Sequence, residues 1–564
     1  MNKSLNGYIG FLAVSLAFAF SFFGCASAKH VQVVSYSSER SILYEIDQAR
    51  KVLDKDPVEA LARACALRDN TKGFSQIDQL YADAGSKALA EFNAAVASSR
   101  WADAQILFRS LQTLSMAPDG WKDESLAAKR INAWKEEGNR TLADLDTIPP
   151  STPDDEAPSS GIVSSMIKGT VTVWVDRGIR VENGVGYADR VIGSGFFIDT
   201  RGYFITNYHV ISSEVDPKYE GYSRLYIKLP TDSTTRIPAK VIGWDPVLDL
   251  ALVKTEITPP AVFKLGTSQD LKVGNHIYAI GSPAGLEQTL TSGIVSAQNR
   301  RLLSLGDCLQ IDAPINHGNS GGPIVDEAGR VQAVVFAGME PYEGLNFAIP
   351  VEYLRIILPS LYAGGMITHP WLGAWGKTAA LPGSSDNAGV SLVYSIPGSP
   401  CAIAGIPEGT VITAVNGIRV HTLEELQSLI IREQPHTILK MTGIVDSNAS
   451  TVTHDWFVML SVRPQLPGQV IIDNDIQSRS LLPIFGLNLE KVGNTKKYLV
   501  ASVVRGSIGD ESGFSVQDVV EINSMVPDAE NQAVSVQLLT KKRKSGYLES
   551  FIGLTASLDS PSYF

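Results

Sequence analysis

Apolar residues recur at helical spacing in the early part of the chain and at strand spacing beyond it. Ile42, Ile46, Ala49 and Leu53 fall at i, i+4, i+7 and i+11. Leu89, Phe92 and Val96 mark a second stripe, and Ala104, Leu107, Phe108, Leu111 and Leu114 a third. Residues 30–145 therefore read as a helical domain. The pattern then stops. Residues 146–160 hold Pro149, Pro150, Pro153 and Pro158 with Asp154, Asp155 and Glu156, and show no apolar periodicity. Such a stretch cannot bury enough apolar surface to fold, so it reads as a disordered, extended linker. Short β-rich runs follow, such as Thr170-Val171-Thr172-Val173-Trp174-Val175, separated by frequent turns. That texture points to a β-barrel architecture, with Val351 to Leu361 as a closing helix.

The first 28 residues read as a signal peptide. Lys3 supplies a positive start and Tyr8 to Phe23 an apolar run. The run is shorter than the roughly 20 residues that a membrane span needs. Two cleavage readings compete. Ala26-Ser27-Ala28 fits an ordinary small-residue site. Phe22-Phe23-Gly24-Cys25 is similar to a bacterial lipobox, in which Cys25 would be lipidated and anchor the chain to a membrane. Phe22 departs from the usual Leu, yet Gly24-Cys25 falls right at the end of the apolar run, which puts the lipobox slightly ahead. Either reading makes the protein extracytoplasmic.

Composition narrows the rest. At 564 residues the chain is too long for one core, and domain-size priors suggest about four modules. A net charge of −11 and the lack of a basic patch with interleaved aromatics argue against nucleic acid as a partner. Lys541-Lys542-Arg543-Lys544 is short and reads as a solvated turn. Cys65, Cys308 and Cys401 fall in three different domains without a C-x-x-C pair, so buried free thiols are expected rather than a metal site or disulfide framework. Nothing in the chain calls for a cofactor. Trp101-Ala102-Asp103-Ala104 is similar to a tetratricopeptide helix–turn–helix, but no period of about 34 residues repeats, and a plain bundle fits better.

The candidate chemistry lies in Gly318-Asn319-Ser320-Gly321-Gly322-Pro323. A serine ringed by glycines can expose its hydroxyl on a tight turn beside free backbone N–H groups, as a nucleophile beside an oxyanion hole requires. A Gly-rich hairpin turn explains the same residues equally well on their own. A nucleophilic serine needs a base and the base an orienting carboxylate. His209, in Thr206-Asn207-Tyr208-His209-Val210, and Asp249, among Leu248, Leu250, Ala251 and Leu252, can supply them. Taken singly, a structural histidine and a turn acid are the commoner explanations. The order His209, Asp249, Ser320 is that of chymotrypsin-like proteases, not of subtilisins or α/β-hydrolases.

The surrounding residues resemble the HtrA/Deg serine proteases over most of residues 165–360. The resemblance rests on Gly193-Ser194-Gly195-Phe196 through Val210, Asp245 through Lys254, Val273-Gly274 through Gly281, Gly285 through Ser296, Gln310-Ile311-Asp312-Ala313 and Gly344 through Pro350. It implies a chymotrypsin-like double β-barrel over 161–365, with the triad in the cleft. Ser320 would be the nucleophile, His209 the base, Asp249 its orienter, and the N–H groups of Gly318 and Ser320 the oxyanion hole. Asn319 stands where other members of the fold carry Asp, which implies that a loop rearrangement rather than zymogen cleavage sets activity. Pro314 would form the base of the S1 pocket, with Phe336, Ala337 and Gly338 on its walls, favouring small or medium apolar P1 residues. His317 replaces the family's usual Pro and reads as a loop residue shaping the oxyanion strand.

Beyond residue 365 the chain resembles PDZ domains. Trp371-Leu372-Gly373, Gly389 through Val393, Pro397-Gly398-Ser399-Pro400, Ala404-Gly405-Ile406, Val411-Ile412 and Asn416-Gly417 carry the likeness over 366–465. Trp371, Leu372 and Gly373 would form the nest for a peptide's C-terminal carboxylate, with a helix over Thr422 to Ile431 flanking the groove. Gly398, Gly405 and Val411 recur as Gly506, Gly513 and Val519, and Phe485-Gly486-Leu487 takes the place of the nest, so 482–560 reads as a diverged second PDZ domain. Both are α+β folds. The resulting expectation is a secreted, ATP-independent HtrA-type endopeptidase. It would degrade unfolded or damaged envelope proteins, capture C-terminal peptides at its first PDZ domain, and assemble as a trimer or a multiple of one. The alternative is a proteolytically silent peptide-binding chaperone or scaffold.

Overall fold

The computed structural model describes residues 39–138 except 72, and residues 166–564 except 220–223, 270, 283–288, 339–343, 381–386, 448–449 and 543–547. The signal segment with Cys25 and the linker at 146–160 lie outside the described residues.

The helical region contains α1 (Glu39–Val52), α2 (Pro57–Asn70), α3 (Ser75–Ala97), α4 (Trp101–Thr113) and α5 (Asp123–Gly138). The apolar stripes are its inward faces: Ile42, Ile46, Ala49, Phe92, Ala104, Phe108, Leu111 and Leu114 are buried. Asp56 caps α2, accepting from Glu59 N at 2.8 Å, with Pro57 at the first helical position. The bundle packs against the first PDZ domain. Ile438 of the first PDZ domain is buried in the same cluster as Phe92 and Phe108, and its N–H donates to Ser110 Oγ at 3.1 Å. Arg109 bridges Asp123 of the bundle and Glu433 of that domain.

Two closed barrels follow. The first comprises β1 (Thr170–Glu182), β2 (Val185–Phe197), β3 (Tyr203–Thr206), β4 (Arg224–Leu229), β5 (Asp232–Asp245) and β6 (Leu250–Thr255), closed by β5–β6 pairing. The second comprises β7 (His276–Gly281), β8 (Thr289–Arg300), β9 (Cys308–Ile311), β10 (Pro323–Val325), β11 (Val331–Gly338) and β12 (Asn346–Pro350). Between β3 and β4 lies the short helix α6 (Tyr208–Val215), and after β12 comes α7 (Val351–Ala363). Phe196, Ile205 and Leu252 from one barrel, Ile280, Val334 and Ile349 from the other, and Leu354 and Leu361 of α7 share one buried cluster. Burial of that apolar surface, at about 25 cal/mol per Å², fixes the barrels against each other.

The first PDZ domain has a sheet ordered Ala374–Ala380, Asn387–Ser395, Val411–Val415, Ile438–Ser447 and Ser450–Met459. The expected groove helix runs Leu423–Ile430. Thr422 caps it by accepting from Glu425 N, while the Glu425 carboxylate accepts from His421 N, just before the cap, at 2.6 Å. Asn416 and Gly417 both have positive φ, as a tight two-residue hairpin turn needs. The domain is tied to the first barrel where Gly365 and Met366 pair with Gly243 and Trp244. Beside that pairing, buried His369 Nε2 meets buried Asp245 Oδ2 at 2.7 Å.

The last domain opens with helices Pro467–Asn474 and Gln477–Phe485 and continues as a five-stranded meander ending at Leu548–Ser557. Asn523 and Ser524 lie inside the strand Val519–Asp528, at a bulge. Lys541 and Lys542 complete the strand Ala533–Lys542 and pair with Glu549 and Leu548, so this half of the basic run is not the solvated turn its charge suggested. Alternation along Val534, Val536 and Leu538, all buried, outweighs the charge at the strand's end. Trp371, Trp375, Tyr394 and Ile396 of the first PDZ domain share a buried cluster with Leu481, Phe485 and Val534 of the second. Among the described residues no helix is long and apolar enough to cross a membrane. Cys65, Cys308 and Cys401 are buried and free, and burial pushes each thiol up to about 12.

Candidate active site

The β3–β6 register brings the histidine and the acid together. Thr206 pairs with Ala251, so the residues just beyond each strand end are neighbours. His209 follows at the second position of α6 rather than at a strand end. Asp249 has φ 53°, a left-handed conformation that costs a non-glycine residue roughly 1–3 kcal/mol. Its contacts over-determine it. Its carbonyl accepts from Tyr208 N at 3.2 Å and Asn207 Nδ2 at 2.8 Å. Its carboxylate accepts from His209 N at 2.8 Å and meets His209 Nδ1 at 2.7 Å. The backbone contact fixes the carboxylate, and the carboxylate fixes the ring. Asp245 shapes the turn between them, accepting from Val247 N and Leu248 N.

The His209 ring is 46% exposed, the Asp249 side chain 15%. Partial burial in the cleft works against the imidazolium, but the hydrogen bond and charge of Asp249 outweigh it and hold the His209 pKa above the usual 6.5.

The serine turn comes from the other barrel. Asn319 N donates to Asn316 O at 3.0 Å and Gly322 N to Asn319 O at 2.9 Å, which coils residues 316–322 tightly. Gly318 and Gly321 take φ of 103° and 83°, and a Cβ on Gly321 would lie 2.3 Å from Ser194 O. Ser194 of β2 pins this turn across the cleft. Its N–H donates to Ser320 O at 2.8 Å and its hydroxyl to Gly318 O at 2.6 Å, while the same hydroxyl accepts from Ser282 N at 2.9 Å. With those two carbonyls held toward β2, the N–H groups of Gly318 and Ser320 have no acceptor among the described residues. Ser320 is half-buried and Gly318 buried. Val210, next to His209, and Ser320 O both border Gly193, so the backbone of the serine turn lies close to the start of α6. Ser320 Oγ has no hydrogen bond among the described residues, to His209 included. Catalytic contacts of this kind often close only with substrate bound.

Thr291 Oγ1 donates to Pro314 O. Asn346, paired with Gly338, donates its side-chain N–H to Ala313 O at 2.8 Å, bringing Pro314 and the Phe336–Gly338 stretch to one place. His317 is exposed on the serine turn. In the first PDZ domain Leu372 is fully buried and Trp371 nearly so. Gly373 N donates to Phe564 O at 2.9 Å, as does Ala374 N at 3.0 Å. Sequence reasoning singled out His209 and Asp249, which meet, but missed Ser194, Asn207, Ala374 and the segment around Phe564. Only a buried small polar residue flanked by glycines, as in Gly193-Ser194-Gly195, signals a clamp in advance.

The chain was compared with known proteins. Residues 193–334 match the trypsin-like peptidase domain, 393–442 the PDZ domain and 468–558 the TP0546 family PDZ domain, while 40–133 match a domain of unknown function. A probable periplasmic serine endoprotease DegP-like from Halomonas elongata is 30% identical over 385 residues, covering 62% of this chain and 76% of the relative. Its namesake from Chlamydia pneumoniae is 29% identical over 370 residues, covering 61% and 73%. The putative serine protease HhoA of Synechocystis is 34% identical over 270 residues, covering 44% and 66%. Among solved structures, the HtrA-type protease AlgW with decapeptide is 25% identical, covering 54% of this chain and 99% of that one at a TM-score of 0.45.

Proposed function

The chain belongs to the HtrA/DegP family of serine endoproteases, and we propose that Ser320, His209 and Asp249 carry its peptide hydrolysis outside the cytoplasm. His209 Nε2 takes the Ser320 proton as Oγ attacks the scissile carbonyl, then returns it to the leaving amine. Asp249, bonded to Nδ1, holds the tautomer that leaves Nε2 free and stabilises the imidazolium. The oxyanion receives the N–H groups of Gly318 and Ser320, and losing one such donor typically costs about 10²–10³ in rate. The reading rests on one observation: a His209–Asp249 pair at 2.7 Å shares a cleft with a serine turn whose two N–H groups are left without acceptors.

Substrates are unfolded or damaged envelope proteins, which expose extended backbone, and no nucleotide is used. The uncharged Pro314 and the Phe336–Gly338 wall favour Val, Ala or Ile at P1. The names of the periplasmic relatives support an extracytoplasmic site, and lipidation at Cys25 would hold the protein at a membrane. Capture of C-terminal peptides at the first PDZ domain raises the substrate's effective concentration near the cleft, and trimers or multiples of them are the expected assembly. Casein cleavage by the wild type against Ser320→Ala tests this. Cleavage should fall by about 10⁴-fold or more. Equal behaviour of the two proteins would leave only the binding role of a chaperone.

A further inference from the structure

The peptide groove of the first PDZ domain already holds a peptide, and it is part of this chain. Residues 560–564 leave the second PDZ domain and run antiparallel along the edge strand Ala374–Ala380. Phe564 N donates to Ala374 O at 3.0 Å, Gly376 N donates to Ser562 O at 3.2 Å, and Trp375 pairs with Tyr563. Phe564 O takes both Gly373 N and Ala374 N, the donors of the nest. The Phe564 ring is 2% exposed and sits in the domain's buried cluster with Leu372, Leu392, Leu426 and Ile430. Gly376 leaves it room, since a Cβ there would stand 2.9 Å from the ring.

The helix wall closes on the same segment. Gln427 Nε2 donates to Pro561 O at 2.8 Å and to Tyr563 O at 3.2 Å. Arg301, just past the end of β8 in the protease, bonds Glu424 at 2.7 Å and also Pro561 O, spanning helix and segment together. Tyr563, fully buried, donates its hydroxyl to Pro483 O and so ties the segment to the second PDZ domain. Strand pairing, an apolar anchor and satisfied nest donors are the elements of peptide addition to a sheet edge.

We propose that Ser560–Phe564 is a resident ligand of the first PDZ groove, and that peptides with an aromatic residue in the Phe564 position enter only by displacing it. This rests on the groove being the peptide site proposed above. A tethered ligand competes at an effective concentration in the millimolar range for short connections, so it weakens binding in trans in proportion. A groove whose competent state is populated to one part in ten or a hundred loses affinity by the same factor. The second PDZ domain thereby acts as the holder of the segment that closes the first.

The test uses the full chain in a Ser320→Ala background, so that failure of the proteolysis reading and failure of this one stay separate. Fluorescence anisotropy follows a fluorescein-labelled Ser-Pro-Ser-Tyr-Phe peptide. Phe564→Asp, which puts a charge in the apolar seat, should bind it at least about tenfold more tightly than the parent. Equal affinities, or no binding by either, would overturn the proposal. A second measurement needs no substitution at 564. Hydrogen exchange of residues 560–564 in the parent should speed up under saturating unlabelled peptide, and exchange that stays unchanged with peptide bound would overturn the displacement.

Discussion

Two pairs of backbone N–H groups in this molecule, the proposed oxyanion donors and the donors of the first PDZ groove, are in opposite states. In the protease cleft the N–H groups of Gly318 and Ser320 have no acceptor among the described residues. In the first PDZ groove those of Gly373 and Ala374 are both taken by Phe564 O. Each pair is oriented by something behind it. Ser194 holds the carbonyls of Gly318 and Ser320 across the cleft. Ser399 does the same for the groove, its hydroxyl donating to Gly373 O at 2.8 Å. The difference lies in what the donors await. An oxyanion exists only while a substrate reacts, so its donors must stay open at rest. A peptide carbonyl is a stable group, and the chain can supply one itself.

That contrast can be broken from either side. Asp249→Asn keeps the shape but favours the wrong imidazole tautomer, and should lower casein cleavage about 10⁴-fold. Anisotropy on the labelled pentapeptide should show an unchanged groove; a parallel change there would mean that the two sites are not separate. Ser194→Ala frees the Gly318 carbonyl to rotate and misaligns the cleft donors. An effect on kcat of about 10²-fold with little change in KM is expected, as for loss of one oxyanion donor.

The pH response should fall on the cleft alone. The base must be neutral, and Asp249 raises the His209 pKa, so kcat/KM should drop tenfold per pH unit below a midpoint lying above 6.5. A midpoint below 6.5 would contradict the His209–Asp249 contact. The same sign applied to stability means that this pair favours the fold most at low pH and less as pH rises through the folded pKa.

The smallest effect separates the two PDZ domains. Gly373 and Gly486 occupy the same place, with φ of 78° and 76°. An added Cβ would approach Cβ of Ser399 at 2.1 Å in one and Cβ of Ser507 at 2.2 Å in the other. Only the first has a helix between its third and fourth long strands; in the second, Val519–Asp528 turns straight into Ala533–Lys542. Gly486→Ala should therefore lower thermal stability by about 1–3 kcal/mol without touching cleavage chemistry. Gly373→Ala should lower stability equally and also loosen the segment at Phe564. Calorimetry with the labelled peptide measures both. Indistinguishable peptide binding by the two variants would erase the distinction drawn between the domains.

Much was legible in the residues alone. Helical periodicity marked the buried faces of the bundle and alternating β-runs marked the barrels, because local motifs set local geometry. His209 and Asp249 were picked out by chain order, and the β3–β6 pairing brings them into contact. The groove helix was visible as Thr422 to Ile431 and one of the two observed groove donors as Gly373, since capping and positive-φ glycines are written in a few adjacent residues. What fills the groove was not. Gly373 and Phe564 are far apart in the chain and their bond is between backbone atoms, which any residue supplies, so no side-chain pattern announces it. The docking of the bundle on Ile438, the His369–Asp245 tie and the Ser194 clamp belong to the same class. Each joins groups that only packing brings within reach, and packing depends on the shapes of whole surfaces rather than on the spacing of residues along a strand or helix.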